Sequence, residues 1–300
     1  MTNVIPGEAT LESWSLPIPV TLFLILATFI YARGWLRLRK TFPNLISVKH
    51  IAAFVSGLVS VWIAVGSPLA KFDDELLFVH MMQHILLMAV APALILLGTP
   101  ALPLLHGLPK LFVQVVAGPF LRWAPARWME KVLTQPVFSW LAATVTVIVW
   151  HIPAVFALGL QSDSWHEGQH ASFLAAGLLF WWPVIQPWPT VSRMSRWSAP
   201  IYLFLATLPC DALSAFLAFC DRVVYTSYLF APRPLPISAL QDQEWAGVFM
   251  WVAITFIYMV PAAVIAVRIL SPLETPAQLT LIGSQDVVND RLKPSQIQVV

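Results

Sequence analysis

Apolar residues along this chain gather into long unbroken blocks, near 17–33, 48–66, 76–98, 136–159, 166–188, 199–220 and 245–268. A helix needs about 20 predominantly apolar residues to cross a hydrocarbon core. The pattern therefore predicts an all-α, polytopic membrane bundle of about seven transmembrane helices. It forms a single membrane domain over 1–300, with the bundle at about 17–268 and a polar tail at 269–300. The first block lacks a charged leading region and a small-residue cleavage site, so it reads as a retained helix. Polar connections are short except at 99–135, 221–244 and the tail. The stretch 101–135 mixes Phe120, Trp123 and Trp128 with Lys110, Arg122, Arg127 and Lys131, which suits an amphipathic segment lying on the membrane surface. The tail, with Asp286, Asn289, Asp290 and Lys293, reads as a weakly ordered end.

Composition agrees with lipid as the solvent. Hydrophobic residues make up 58% of the chain and charged residues 11%, with mean hydropathy +0.75. Soluble domains carry about 25% charged residues. The net charge of +2 and the lack of a basic run argue against a nucleic-acid partner. Cys210 and Cys220, if on one helix, lie roughly 15 Å apart, too far for a disulfide.

Basic residues set the expected orientation, because cytoplasmic loops carry the excess of Lys and Arg. With the N-terminus outside and the C-terminus cytoplasmic, only Lys71, Arg222 and Arg233 of the 17 basic residues fall outside. Acidic residues lean outward, including Asp73, Asp74, Glu75, Asp163, Glu167, Asp221, Asp242 and Glu244.

On that map the seven histidines separate. His80, His84, His151, His166 and His170 fall in one layer near the outer face, whereas His50 and His106 are cytoplasmic and unpaired. Residues four apart on a helix lie about 40° apart in angle and roughly 6 Å apart along the axis, so they share a face. His80 with His84, and His166 with His170, are two such pairs, each able to chelate one metal ion. Met88 extends the first stripe by a turn. Imidazole suits zinc, copper, iron and nickel, and a thioether favours Cu(I). Asp211 lies inside the sixth helix, where an acidic side chain is costly, and is expected to face the bundle interior near the histidines. Asp211 and Asp242 are candidates to orient the imidazoles by accepting their N–H groups.

Two other chemistries use the same residues. His166-Glu167-Gly168-Gln169-His170 matches the H-E-x-x-H pattern of zinc metalloproteases, in which the glutamate is the general base. Against it stand the glycine inside the motif, the lack of an obvious third ligand in a later helix, and three histidines left without a role. Histidines on two helices also ligate a b-type haem, although the i, i+4 pairing favours a chelated ion.

The run His80-Met81-Met82-Gln83-His84-Ile85-Leu86-Leu87-Met88, continuing through Ala91-Pro92 and Leu97-Gly98-Thr99-Pro100, resembles the signature of the CtaG-type cytochrome c oxidase assembly factors. Two more blocks agree. One runs from Trp150-His151-Ile152-Pro153 through His166 and His170 to Phe180-Trp181-Trp182-Pro183. The other is Asp242-Gln243-Glu244-Trp245-Ala246-Gly247 with Met250-Trp251. The similarity covers about residues 20 to 270. Just before the last histidine of the second pair stands Gln169, and the acid of that block is at Glu167.

The resemblance implies a non-enzymatic protein of a bacterial-type inner membrane that helps build cytochrome c oxidase and handles copper for its metal centres. Its implied partners are oxidase subunits and a periplasmic copper donor. The residues themselves add a copper site made of His80, His84, His166 and His170, with His151 deeper, and with zinc or haem as the alternative occupants.

Overall fold

The computed structural model describes residues 17–41, 46–67, 69–119, 123–185, 194–195 and 197–271. It is helical throughout, with no strand among the described residues. Helices α1 (Ile18–Thr41) and α2 (Val48–Gly66) lead to a one-turn helix α3 (Leu69–Phe72). Helix α4 (Leu77–Leu97) follows, then the short helices α5 (Ala101–Gly107) and α6 (Ala124–Leu133), with a brief helical stretch, Lys110–Phe112 continuing into the π-helical Val113–Ala117, between them. Helices α7 (Pro136–His151), α8 (Pro153–Gln161), α9 (Asp163–Ile185), α10 (Ser198–Phe219) and α11 (Ala239–Leu270) complete the order.

Five of these, α1, the stretch Val48–Phe72, α4, α10 and α11, are long and apolar enough to cross a membrane. The expected fourth span, 136–159, is a broken one. Helices α7 and α8 meet at 76° around Ile152, and counting the pair as one span makes six. Pro153 explains the break, since its missing N–H and its ring stop a helix at the residue before it. The expected span 166–188 corresponds to α9, which is not among these spans. Its first half carries Asp163, His166, Glu167, Gln169 and His170. The expected tail lies almost wholly outside the described residues.

Glycines let the helices approach closely, as small residues do in membrane bundles where lipid offers no hydrophobic drive to association. A Cβ on Gly177 of α9 would collide with the Met88 carbonyl oxygen of α4 and come within 2.6 Å of Pro92 Cγ. A Cβ on Gly247 of α11 would reach 2.7 Å from the Ala218 backbone nitrogen of α10. Polar side chains add cross-links: Gln83 Nε2 donates to the Ala64 carbonyl at 2.9 Å, and Trp150 Nε1 to Ser172 Oγ at 2.8 Å.

Helix α4 contains a π-helical turn, Leu86–Val90, closed by the Ala91 N–H on the Leu86 carbonyl. Pro92 has no N–H for the Met88 carbonyl, so the ordinary ladder fails there. Met88 lies inside this wider turn, one turn beyond His84.

Candidate metal centre

Elements distant in sequence converge at one end of the bundle. Helix α4 brings His80, Met81 and His84 from its first turns, and α9 brings His166 and His170 from its own. Helix α7 ends on His151, and the turn between α3 and α4 carries Asp73. His80 and His84 have ring centroids 4.3 Å apart, as do His166 and His170. Across the helices His80 stacks on His166 at 5.6 Å, and His84 lies 5.8 Å from His151 and 6.4 Å from His170. All five histidines expected in one layer therefore form a single cluster.

The cluster is deeply buried, with His80 1% exposed and Asp73 1%. Both ring nitrogens of His80 and of His84, and Nε2 of His166 and of His170, are buried without a hydrogen-bond partner. Each buried polar group left unsatisfied costs about 1–3 kcal/mol. So many in one place oppose folding unless something binds them, and clustered imidazole nitrogens in that state suit a metal ion. The two remaining histidines behave differently. His50 Nδ1 accepts from the Ser47 backbone N–H at 3.1 Å, and His106 Nδ1 donates to the Leu102 carbonyl at 2.9 Å.

One tight ligand set was missed by sequence reasoning. A carboxylate oxygen of Asp73 and one nitrogen each of His80 and His166 lie within 4.8 Å of one another. Asp73 Oδ2 is 3.3 Å from His166 Nε2, and His166, 20% exposed, gives this set its contact with solvent. Burial, reinforced by the neighbouring Asp74, pushes the Asp73 carboxyl up to about 7.

Met88 does not join the site. Within the π turn it lines a small cavity with Val147, Phe180, Cys210 and Tyr258. The sulfur that meets a histidine belongs to Met81, whose Sδ is 3.4 Å from His151 Nε2. Asp211 is half-buried and meets Thr255 Oγ1 of α11 at 3.5 Å, and it makes no hydrogen bond to a histidine. Asp242 also meets no imidazole. Its carboxylate caps α4, accepting the backbone N–H of Leu77 at 2.8 Å and of Phe78 at 3.1 Å. It thus fixes the turn that carries His80 without touching the ring.

The segment between α10 and α11 holds the other ligand-bearing pieces. Tyr228 donates its hydroxyl to the Asp73 carbonyl at 2.6 Å, and Tyr225 to the His151 carbonyl at 3.1 Å. Gln243 secures that segment, accepting the Val224 N–H at 2.7 Å and donating to the Arg222 and Leu217 carbonyls. Phe156 packs on His80 with centroids 4.9 Å apart, and Phe173 on His84 at 4.2 Å, shielding the inner rings with apolar surface. Only the polar tyrosines inside an otherwise loop-like stretch hinted at this clamp in the sequence.

Glu167, the general base of a protease reading, is exposed and lies outside the Asp73–His80–His166 set. For a haem, a macrocycle would have to enter between rings already packed against each other.

Comparison with known proteins adds the context. The family model for the cytochrome c oxidase caa3 assembly factor matches residues 29–271. Uncharacterized proteins of Mycobacterium bovis and Mycobacterium tuberculosis are each 25% identical over 225 residues, covering 74% of this chain and 34% of their own length. An uncharacterized protein of Mycobacterium leprae is 24% identical over 227 residues, with the same shares. This chain thus spans about a third of the length of these relatives. No solved structure matches it.

Proposed function

This chain belongs to the cytochrome c oxidase caa3 assembly factor family, and we propose that its histidine cluster captures copper and passes it to an oxidase metal centre. One observation carries the reading: both ring nitrogens of His80 and His84, and Nε2 of His166 and His170, are buried in one cluster with no hydrogen-bond partner. Imidazoles in that state, joined by one thioether sulfur, make a donor set suited to copper.

In this reading the chain lies in a bacterial-type inner membrane with the cluster at its outer end. Copper is the cargo. Capture begins at the partly exposed His166 and its neighbours, where ligands exchange one at a time, and Phe156 and Phe173 exclude water from the inner rings. A periplasmic donor supplies the ion, and an oxidase subunit receives it. The protein does no covalent chemistry in this sequence: it binds, desolvates and releases.

The test is functional replacement. In cells lacking the native gene, the His80→Ala/His84→Ala protein is expected to insert in the membrane at normal levels and leave the oxidase without its copper. Normal copper content in that oxidase would refute the proposal.

A further inference from the structure

His151 sits against Met81 in an arrangement that an imidazole–thioether hydrogen bond does not explain. The Nδ1 of His151 is 2.7 Å from the Val147 carbonyl oxygen, which only accepts, so Nδ1 carries the proton. A neutral imidazole has one N–H, so Nε2 then carries a lone pair. That lone pair faces Met81 Sδ, itself an acceptor, at 3.4 Å. A second proton on the ring would relieve the contact only by making a buried cation, and among the described residues no carboxylate forms an ion pair with His151. Met81 is fully buried and His151 nearly so. Beside them His84 lies 5.8 Å from His151 by centroid, with both ring nitrogens unpartnered and Phe173 covering one face. Met81 and His84 are three residues apart on α4 and so share a face.

Two facing lone pairs with an unpartnered imidazole beside them describe a place for a cation. We propose that Met81, His84 and His151 form a second, deeper metal position that takes a soft monovalent ion, Cu(I), distinct from the outer Asp73–His80–His166 position. This rests on the reading of the cluster as a copper site and divides that site in two. The ligand chemistry differs between them. The outer set offers a carboxylate and two imidazoles, which suit a divalent ion such as Zn(II) or Cu(II). The inner set offers a thioether and two imidazoles, shielded from water, which suit Cu(I) and its silver counterpart. Rings of His80 and His84 only 4.3 Å apart connect the two positions by one ligand exchange along α4. No change of oxidation state is needed for an ion that arrives as Cu(I).

The experiment uses the full chain in detergent, with Ag(I) and Cu(I) as inner probes under anaerobic conditions and Zn(II) as the outer probe. X-ray absorption of the Cu(I)-loaded wild-type protein is expected to show a sulfur atom bound to copper. Met81→Leu, which conserves volume and should fold normally, is expected to lose that sulfur. Its Ag(I) affinity should fall by about tenfold or more, the scale of a lost metal-site partner, with Zn(II) binding unchanged. Asp73→Asn is expected to do the reverse. Copper bound by nitrogen and oxygen alone, or wild-type Ag(I) affinity in Met81→Leu, overturns the inner position and leaves the copper reading standing. A wild-type protein that binds neither Cu(I) nor Zn(II) overturns both.

Discussion

Asp242 and Leu77 are 165 residues apart in the chain, yet the carboxylate of one accepts the backbone N–H of the other at 2.8 Å. The same carboxylate takes the next N–H, of Phe78, at 3.1 Å. The first N–H groups of a helix have no partner inside it, so an acceptor brought from elsewhere fixes where the helix begins. Here it sets the position of α4 three residues before His80. The ligands are therefore aimed by a residue that is not one of them.

Removing that cap separates positioning from ligation. Asp242→Ala leaves two buried N–H groups without an acceptor, a loss of about 1–3 kcal/mol each. The expected result is a lower melting temperature in detergent and weakened, not abolished, copper binding. Asp242→Asn keeps one acceptor oxygen and is expected to fall between Asp242→Ala and the wild type. Thermal unfolding with and without metal measures both effects.

The contact between α9 and α4 gives a matched pair of glycine substitutions. A methyl group on Gly177 runs into the Met88 carbonyl at the π turn, while one on Gly168 meets nothing within 4 Å. Gly177→Ala is expected to cost about 1–3 kcal/mol, as overpacking does. Gly168→Ala should gain up to about 1 kcal/mol from the better helix propensity of alanine. Melting temperatures of opposite sign relative to wild type are the expected reading.

On the proposed metal-binding reading, loading at the outer position is expected to be coupled to protons. Burial holds the Asp73 carboxyl protonated up to about pH 7, so below that pH an arriving ion must expel its proton before binding the oxygen. Affinity for Zn(II) is thus expected to fall as pH drops below about 7. Calorimetry in buffers of different ionisation enthalpy should show one proton fewer released by Asp73→Asn than by wild type at pH 6.

His50 and His106 serve as internal controls. Each has a local hydrogen-bond partner at a helix end, and neither belongs to the cluster. His50→Ala and His106→Ala are expected to leave copper content unchanged, as measured by elemental analysis of the purified protein.

Much of the site was legible in the chain because helical periodicity maps spacing directly onto a face. His80 with His84 and His166 with His170 needed only that rule, and the distribution of basic residues placed His151 with them. Asp73 escaped because it lies in a turn and joins the histidines only through tertiary packing. The helical rule extends the stripe to Met88 because a π turn leaves no trace in a hydropathy pattern, although Pro92 supplies its physical cause. The broken span at Ile152 was visible in Pro153 but hidden within a continuous apolar block. Asp211 reads as a costly acid inside a helix, and both Asp211 and Asp242 read as acceptors for imidazole N–H groups. Their actual partners, Thr255 and the start of α4, come from distant segments that no local rule connects.

Whether the clustered histidines hold copper is read from the copper content of the purified full chain. Wild-type protein loaded with copper and passed over a desalting column is expected to retain bound metal, and His80→Ala/His84→Ala to retain none while eluting as the same folded species. Equal copper in the two proteins would show that these histidines do not hold it.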